Sequence, residues 1–192
     1  MSHVTIIGTG NMGSAIAAVA RTGGHTVELL NTSDADKPVS GDIVVLAVPH
    51  PAVADVLAAR GDSLAGKVVV DITNPLNFET FDSLVVPADS SAAAQIASAL
   101  PHSQVLKAFN TNFAGTLASG TVGGSMPTTV LIAGDDASAK AQLSAIVTDG
   151  GLRAIDAGSL GRARELEALG FLQLTLAAGE KISWTGGFAG VA

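Results

Sequence analysis

The chain of 192 residues has no cysteine, and only 14% of its residues are charged. Without cysteine there are no disulfides, no thiol catalysis and no thiolate metal sites. The four histidines, His3, His25, His50 and His102, lack metal-ligand spacing, so no metal is expected. There is no block of basic residues and the net charge is −7, which argues against nucleic acid as a partner. No stretch approaches the ~18 uninterrupted apolar residues of a membrane span. The N-terminus lacks a basic segment followed by a long apolar run, so no signal peptide is expected and a cytoplasmic location follows. Aromatic residues make up only 4%, which points to compact packing by alanine and branched aliphatics.

What the chain does have is 47% hydrophobic residues, suited to a parallel sheet buried on both faces. The most informative stretch is near the start. The strand Val4-Thr5-Ile6-Ile7 runs into Gly8-Thr9-Gly10-Asn11-Met12-Gly13, and a helical pattern follows with Met12, Ile16, Val19 and Ala20 on one face. Gly8 permits a tight turn off the strand, Gly10 lets the backbone approach a pyrophosphate, and Gly13 lets helix and strand pack closely. Phosphates then sit on unpaired N–H groups at a helix N-terminus. A glycine-rich turn can be only a turn. Strand, turn, helix and second strand in register make dinucleotide binding the stronger reading.

Alternating strands and helices continue through the chain. Strands are expected at 25–30, 43–48, 67–72, 104–109, 128–133 and 152–155. Helices are expected from Pro51 to near Gly61, and at 90–100, 137–148 and 162–182. A long loop fills 76–89, and 110–127 has no clear pattern. The expectation is an α/β Rossmann fold, doubly wound, with a mainly parallel sheet and a C-terminal helix, forming a single domain over 1–192. Only 11 residues separate Asn31 from Ile43. They can span a bare crossover of roughly 36 Å but cannot hold a helix plus a strand. The fold should therefore be shortened after the second strand. That strand becomes a sheet edge, where Glu28 can turn to water.

The cofactor reading rests on the end of the second strand. NAD sites usually place a carboxylate there for the ribose 2′-hydroxyl. This chain has Asn31-Thr32-Ser33 instead, which can accept a 2′-phosphate, with Lys37 nearby. NADP is favoured, although the same residues suit an ordinary Asx turn. Ala47-Val48-Pro49 ends a central strand and should cover the adenosine ribose and pyrophosphate, with His50 read as a solvated turn residue. Thr73-Asn74-Pro75 and Ala108-Phe109-Asn110 end the next two strands and should converge on the nicotinamide. Asn74 and Asn110 suit a carboxamide, a ribose or a substrate carbonyl. Phe109 and Phe113 suit a wall for a planar substrate. Lys107 reads as a solvated residue on the strand rim, and Arg164 with Glu167 as a surface ion pair. No catalytic acid or base stands out.

Gly8-Thr9-Gly10-Asn11-Met12-Gly13, Ala47-Val48-Pro49, the segment Asp71-Ile72-Thr73-Asn74-Pro75-Leu76, the segment Lys107-Ala108-Phe109-Asn110-Thr111 and Asp156-Ala157-Gly158 resemble the NADP:deazaflavin oxidoreductase-like family of dinucleotide-binding proteins. The similarity covers nearly the whole chain and is closest to the short bacterial members. It implies an NADP(H)-binding Rossmann domain whose C-terminal segment shapes a shallow cleft for a second redox partner. In the named enzymes that partner is a deazaflavin. The arginine often found after the second strand is absent here, with Thr32-Ser33 in its place. Only about thirty residues follow Gly158, too few for the helical domain that completes small-alcohol or imine sites in related dehydrogenases. The resulting expectation is an NADPH-dependent oxidoreductase that passes hydride to a small planar redox acceptor of deazaflavin, flavin or quinone type. The alternative is a non-catalytic NADP(H)-binding sensor. Leu166, Leu169, Phe171, Leu172, Leu174 and Leu176 are too many for one buried helical stripe, so a homodimer is expected as well.

Overall fold

Successive residues of the central strands alternate between two apolar cores, as a strand buried on both faces requires. The computed structural model describes residues 1–190. Along the chain run β1 (His3–Ile7), α1 (Asn11–Thr22), β2 (Thr26–Leu30), β3 (Ile43–Leu46), α2 (Val53–Arg60), β4 (Val68–Asp71), α3 (Ala92–Ala99), β5 (Gln104–Lys107) and α4 (Ala114–Ser119). A small hairpin of β6 (Thr121–Val122) and β7 (Met126–Pro127) leads to β8 (Thr129–Gly134), α5 (Ala137–Asp149), β9 (Arg153–Gly158) and α6 (Ala163–Ala178). Seven strands form one sheet in the order β2-β1-β3-β4-β5-β8-β9. Val4, Ile6, Ile43, Val45, Val70 and Leu106 face one core, which α1, α4 and α5 cover. Ile7, Val44, Leu46, Val69 and Val105 face the other, with Val53 of α2 and Ile96 of α3.

The expected α/β class and mainly parallel sheet are present, with one reversal. β5 and β8 pair antiparallel, while β8 and β9 pair parallel. The stretch without clear pattern explains the reversal: α4 and the hairpin turn the chain back before β8. The last helix stops at Ala178 rather than 182, where Gly179 closes it.

The fold is shortened after β2, and β2 is the sheet edge. Between β2 and β3 there is one turn of 3-10 helix, Thr32–Asp34. Glu28 does not turn to water as expected. Its carboxylate accepts hydrogen bonds from Thr5 Oγ1 at 3.0 Å and Ser40 Oγ at 2.7 Å. Thr5 Oγ1 accepts in turn from the Gly41 N–H at 2.9 Å. The edge carboxylate thus ties the crossover down to the sheet, replacing the packing that a missing helix would supply.

Burial pushes the Glu28 carboxyl up, but hydrogen bonds from Ser40 and Thr5 outweigh it and hold the group below its ordinary value. A lowered folded-state pKa contributes stability above the unfolded value, and that contribution is lost as pH falls through the folded one. Glu28→Gln is therefore expected to lower the melting temperature by a few degrees at neutral pH. The difference from the parent should shrink and vanish as pH falls through the lowered folded-state value, below the ordinary carboxylate range. Thermal unfolding across that range checks both.

Candidate functional site

The carboxyl ends of β1 and β3 lie side by side. β1 leads to a helix on one face of the sheet and β3 to a helix on the other, which opens a crevice at this switch point. The three glycines bordering it differ in their surroundings. Gly8 has φ +118°, and a Cβ there would sit inside van der Waals distance of the Ala47 carbonyl oxygen. A Cβ on Gly13 would collide with the Gly8 carbonyl oxygen. A Cβ on Gly10 would meet nothing within 4 Å. Gly8 and Gly13 are therefore demanded by the fold, while Gly10 keeps open space in front of α1. The first turn of α1 has no side-chain cap and no acidic residue, so its amides keep the capacity to bind an anion. Thr9, Gly10 and Asn11 are exposed, and Met12 is half-buried.

Asn31, Thr32 and Ser33 are exposed beside this crevice. Asn31 Oδ1 accepts from both the N–H and the hydroxyl of Ser33, each at 2.7 Å. Asp34 closes a reciprocal cap by accepting from the Asn31 N–H at 3.0 Å. Its carboxylate also pairs with Lys37 at 2.8 Å. Lys37 and the Asn31 N–H hold the Asp34 carboxyl below its usual range. The Asx turn and the open hydroxyls coexist. Arg60 crosses from α2 and donates to the carbonyls of Asp34 and Lys37. It braces this segment from beneath, a role its sequence spacing does not signal. Ala47 and Val48 are half-buried and Pro49 is exposed, forming the crevice edge. His50 is half-buried, and burial holds its imidazole below the usual value. It lines a separate cavity between α2 and α3.

Further along the same sheet edge is a cleft of about 410 Å³. It is lined by Asn11 and Met12 from α1, Ile72 and Asn74 after β4, and Phe109, Asn110, Asn112 and Phe113 after β5. Leu174 of α6 and Trp184 with Thr185 of the following tail complete it. Four of the seven residues read as nicotinamide-end or acceptor-site candidates thus split cleanly from the other three. Asn74, Asn110, Phe109 and Phe113 line the cleft along with Met12. Thr73, Pro75 and Ala108 are buried beneath it and do not. Phe109 has φ +62°, a conformation that costs on the order of 1–3 kcal/mol for a bulky residue and persists where surroundings impose it. A larger cavity of about 630 Å³, lined by residues such as Pro38, Arg60 and His102, lies near the opposite ends of β4 and β5. It lies away from the Gly8–Gly13 turn and the start of α1.

Lys107 is not a solvated rim residue, and Arg164 and Glu167 do not form a surface pair. Lys107 and Glu167 are each 0% exposed, whereas Arg164 is exposed. The reason is register. Asp71 and Lys107 are direct partners across the β4–β5 ladder, and both point to the face that α3 and α6 cover. Lys107 Nζ lies 2.7 Å from Asp71 and 2.9 Å from Glu167, and donates to the Thr73 carbonyl at 2.6 Å. Glu167 also accepts from the Ala92 N–H at 2.9 Å and the Ala93 N–H at 3.3 Å, at the start of α3. Three fully buried charges therefore join both cleft-forming strand ends to α6. One turn further on, α6 presents Gly170, where a Cβ would overlap Asn74 Oδ1. Asn74 Nδ2 donates to the Asn110 carbonyl at 2.9 Å, and Asn110 Nδ2 donates to Asn74 Oδ1 at 3.0 Å and the Leu166 carbonyl at 2.8 Å. Sequence spacing missed Glu167, Gly170, Leu174, Trp184 and Thr185 as site residues, because only the docking of α6 and its tail brings them here.

The residues present fit a dinucleotide. The glycine turn leaves an open cradle at Gly10. The buried carbonyl oxygens Asn110 Oδ1 and Asn112 Oδ1, on the cleft lining, have no partner among the described residues. A carboxamide NH₂ is a donor that such acceptors lack.

Two outcomes follow from this geometry. Gly10→Val should fold normally yet lose nucleotide binding, whereas Gly13→Val should fail to fold stably. Circular dichroism with calorimetry separates the two, and normal nucleotide binding by the Gly10 variant would reduce the motif to a turn. Lys107→Met leaves two buried carboxylates facing each other. It should cost about 3–5 kcal/mol in denaturant unfolding.

A family model described as NADP oxidoreductase, coenzyme F420-dependent, matches residues 28–75. The chain is 34% identical over 149 residues to the metalloreductase STEAP3 of Rattus norvegicus, an alignment that covers 78% of this chain and 29% of that protein. It is 28% identical over 150 residues to the F420-dependent NADP reductase of Methanocaldococcus jannaschii, covering 76% of this chain and 66% of the reductase. The chain thus spans less than two thirds of the length of either. The crystal structure of a candidate F420-dependent NADP-reductase from Arthrobacter sp. FB24 superposes with a TM-score of 0.86 at 25% identity, covering 100% of both chains. With the glycine turn, the shortened crossover and the cleft described above, these likenesses support an NADP oxidoreductase-like family of dinucleotide-binding proteins.

Proposed function

We propose that the protein is an NADPH-dependent oxidoreductase that transfers hydride between the nicotinamide and a small planar redox acceptor. The observation that carries this reading is the continuity of the site. One sheet edge holds the open Gly10 cradle, the hydroxyls of Thr32 and Ser33, and the cleft with two unpartnered amide carbonyls. When bound, NADPH supplies a hydride from its nicotinamide ring. The chain's own part is positioning. The Gly8–Gly13 turn and the first amides of α1 hold the pyrophosphate. Thr32 and Ser33 receive the 2′-phosphate. Asn110 and Asn112 orient the carboxamide, while Phe109 and Phe113 wall the acceptor side. Ile72 and Leu174 keep water from the reacting atoms.

No side chain lining the cleft carries a charge at neutral pH. That favours a rival reading, a nucleotide sensor without turnover. Ring-to-ring hydride transfer needs no resident acid or base, so the same observation is compatible with an enzyme. Anaerobic NADPH oxidation against deazaflavin, flavins, quinones and ferric chelates decides between them. Turnover with any one is expected, and none with any would favour the sensor. Thr32→Asp should weaken NADPH binding by at least about tenfold and reverse the preference toward NADH, because a carboxylate would face the 2′-phosphate. Equal or tighter NAD binding by the parent chain would sink the NADP assignment.

A homodimer belongs to the same reading. The inner face of α6 is occupied by Ala163, Leu166, Glu167, Gly170, Gln173 and Ala177. Leu172 is displaced outward and is 49% exposed, as is Phe188 of the tail at 49%. Burying a Leu or Phe contributes about 1.5–3 kcal/mol, and a twofold copy of the same face would supply that cover. Light scattering at micromolar concentration is expected to give a dimer that Leu172→Glu converts to a monomer. A parent protein of 19.0 kDa with full activity would refute the dimer.

A further inference from the structure

We propose that Trp184 is the platform on which the acceptor ring stacks, and that the acceptor is an uncharged ring system. This rests on the oxidoreductase reading above and narrows its substrate class. The walls of the cleft are apolar where a ring would lie: Met12, Ile72, Phe109, Phe113, Leu174 and Trp184. Its polar lining consists of asparagine amides and Thr185, with no lysine, arginine or histidine.

Six of the chain's ten lysines and arginines are held elsewhere. Lys107 is enclosed by Asp71 and Glu167, and Lys37 and Lys140 pair with Asp34 and Asp156. Arg60, Lys67 and Arg153 donate to backbone carbonyls. The protein carries a net charge of −7, and a bound dinucleotide adds the negative charge of its phosphates next to the cleft. A second anion enters that field at a cost, whereas a neutral ring does not.

Trp184 stands in a segment without helix or strand, yet its place is held on several sides. Phe113, itself buried, meets it edge-on with ring centroids 4.9 Å apart and planes at 60°. The next residue accepts from the Gly123 N–H at 2.8 Å through the Thr185 carbonyl. Phe188 N–H donates to Gln173 Oε1 at 3.1 Å. Gly115 on α4 leaves just enough room for the Trp184 carbonyl and the Thr185 methyl, which a Cβ would approach to 3.1 Å. One edge of the indole is thus packed on Phe113, and the residue, which lines the cleft, remains 54% exposed. A large, fixed, half-open aromatic beside a hydride donor site is a stacking surface.

The reaction balances with the named reactants. The acceptor ring gains a hydride, two electrons and one proton, from the reduced nicotinamide, which leaves as NADP⁺. The second proton of the reduced acceptor comes from water.

Trp184 is the only tryptophan, so its fluorescence reports the site directly. The test titrates riboflavin and FMN, which share one ring and differ by a phosphate, into the NADP⁺-loaded protein. It then measures NADPH-dependent reduction of each. Riboflavin is expected to quench and bind about tenfold more tightly than FMN at low salt, with the gap narrowing as salt is raised. Trp184→Ala is expected to raise the KM for riboflavin about tenfold, with Trp184→Phe restoring most of it. Calorimetric NADPH affinity should stay unchanged in both variants, which also verifies their fold. FMN binding equal to or tighter than riboflavin at low salt would overturn the neutral acceptor. An unchanged riboflavin KM in Trp184→Ala would overturn the platform. A parent protein that binds NADPH but neither binds nor reduces either flavin would overturn both. A parent that binds no NADPH would instead remove the oxidoreductase reading beneath them.

Discussion

The buried ammonium of Lys107 between Asp71 and Glu167 is the interaction on which the rest of the site depends. A lysine taken fully out of water is stable only if its charge and its three N–H donors are satisfied. Here two carboxylates and the Thr73 carbonyl do so. The second carboxylate would be in excess were it not also received by the amides that open α3, where a helix dipole favours negative charge. The arrangement is directional, unlike the apolar cores on either side of it. It specifies which turn of α6 meets which strand end, and so sets where Gly170 meets the Asn74–Asn110 pair.

Constraint passes from there to the cleft in short steps. The asparagine pair spends its donors on each other and on Leu166, leaving Asn110 Oδ1 unpartnered at the cleft. α6 continues to the tail that carries Trp184 and Thr185. At the other end of the crevice, Gly8 and Gly13 bring α1 against the end of β3, so that the cradle at Gly10 and the cleft share one edge. Geometry that a nucleotide needs is thus held by packing and buried charge rather than by loops free to rearrange. The unusual composition of the inner face of α6 has a consequence on the outer one. Because glutamate, glycine and glutamine occupy positions that dock, Leu172 is left facing outward.

Much of this protein is written locally in its sequence. The Gly8–Gly13 turn between a strand and an amphipathic helix, the 11 residues between Asn31 and Ile43, and the apolar runs of β3 and β4 depend on neighbours along the chain. For that reason the fold class, the shortened crossover and the edge position of β2 were legible, as were the strand ends that carry Asn74, Phe109 and Asn110. Tertiary structure alone decided the rest. Whether Lys107 meets water or two carboxylates depends on a partner 36 residues away across a ladder and another on a distant helix. Glu28 looks like an edge charge until the crossover folds back onto it. Trp184 lies in a glycine-rich tail with no periodicity to place it, and joins the cleft only because Phe113, Gly123 and Gln173 hold that tail down. Local patterns encode which elements form. Burial of charge and docking of the last helix bring side chains far apart in the chain to one point, and no spacing in the sequence records that.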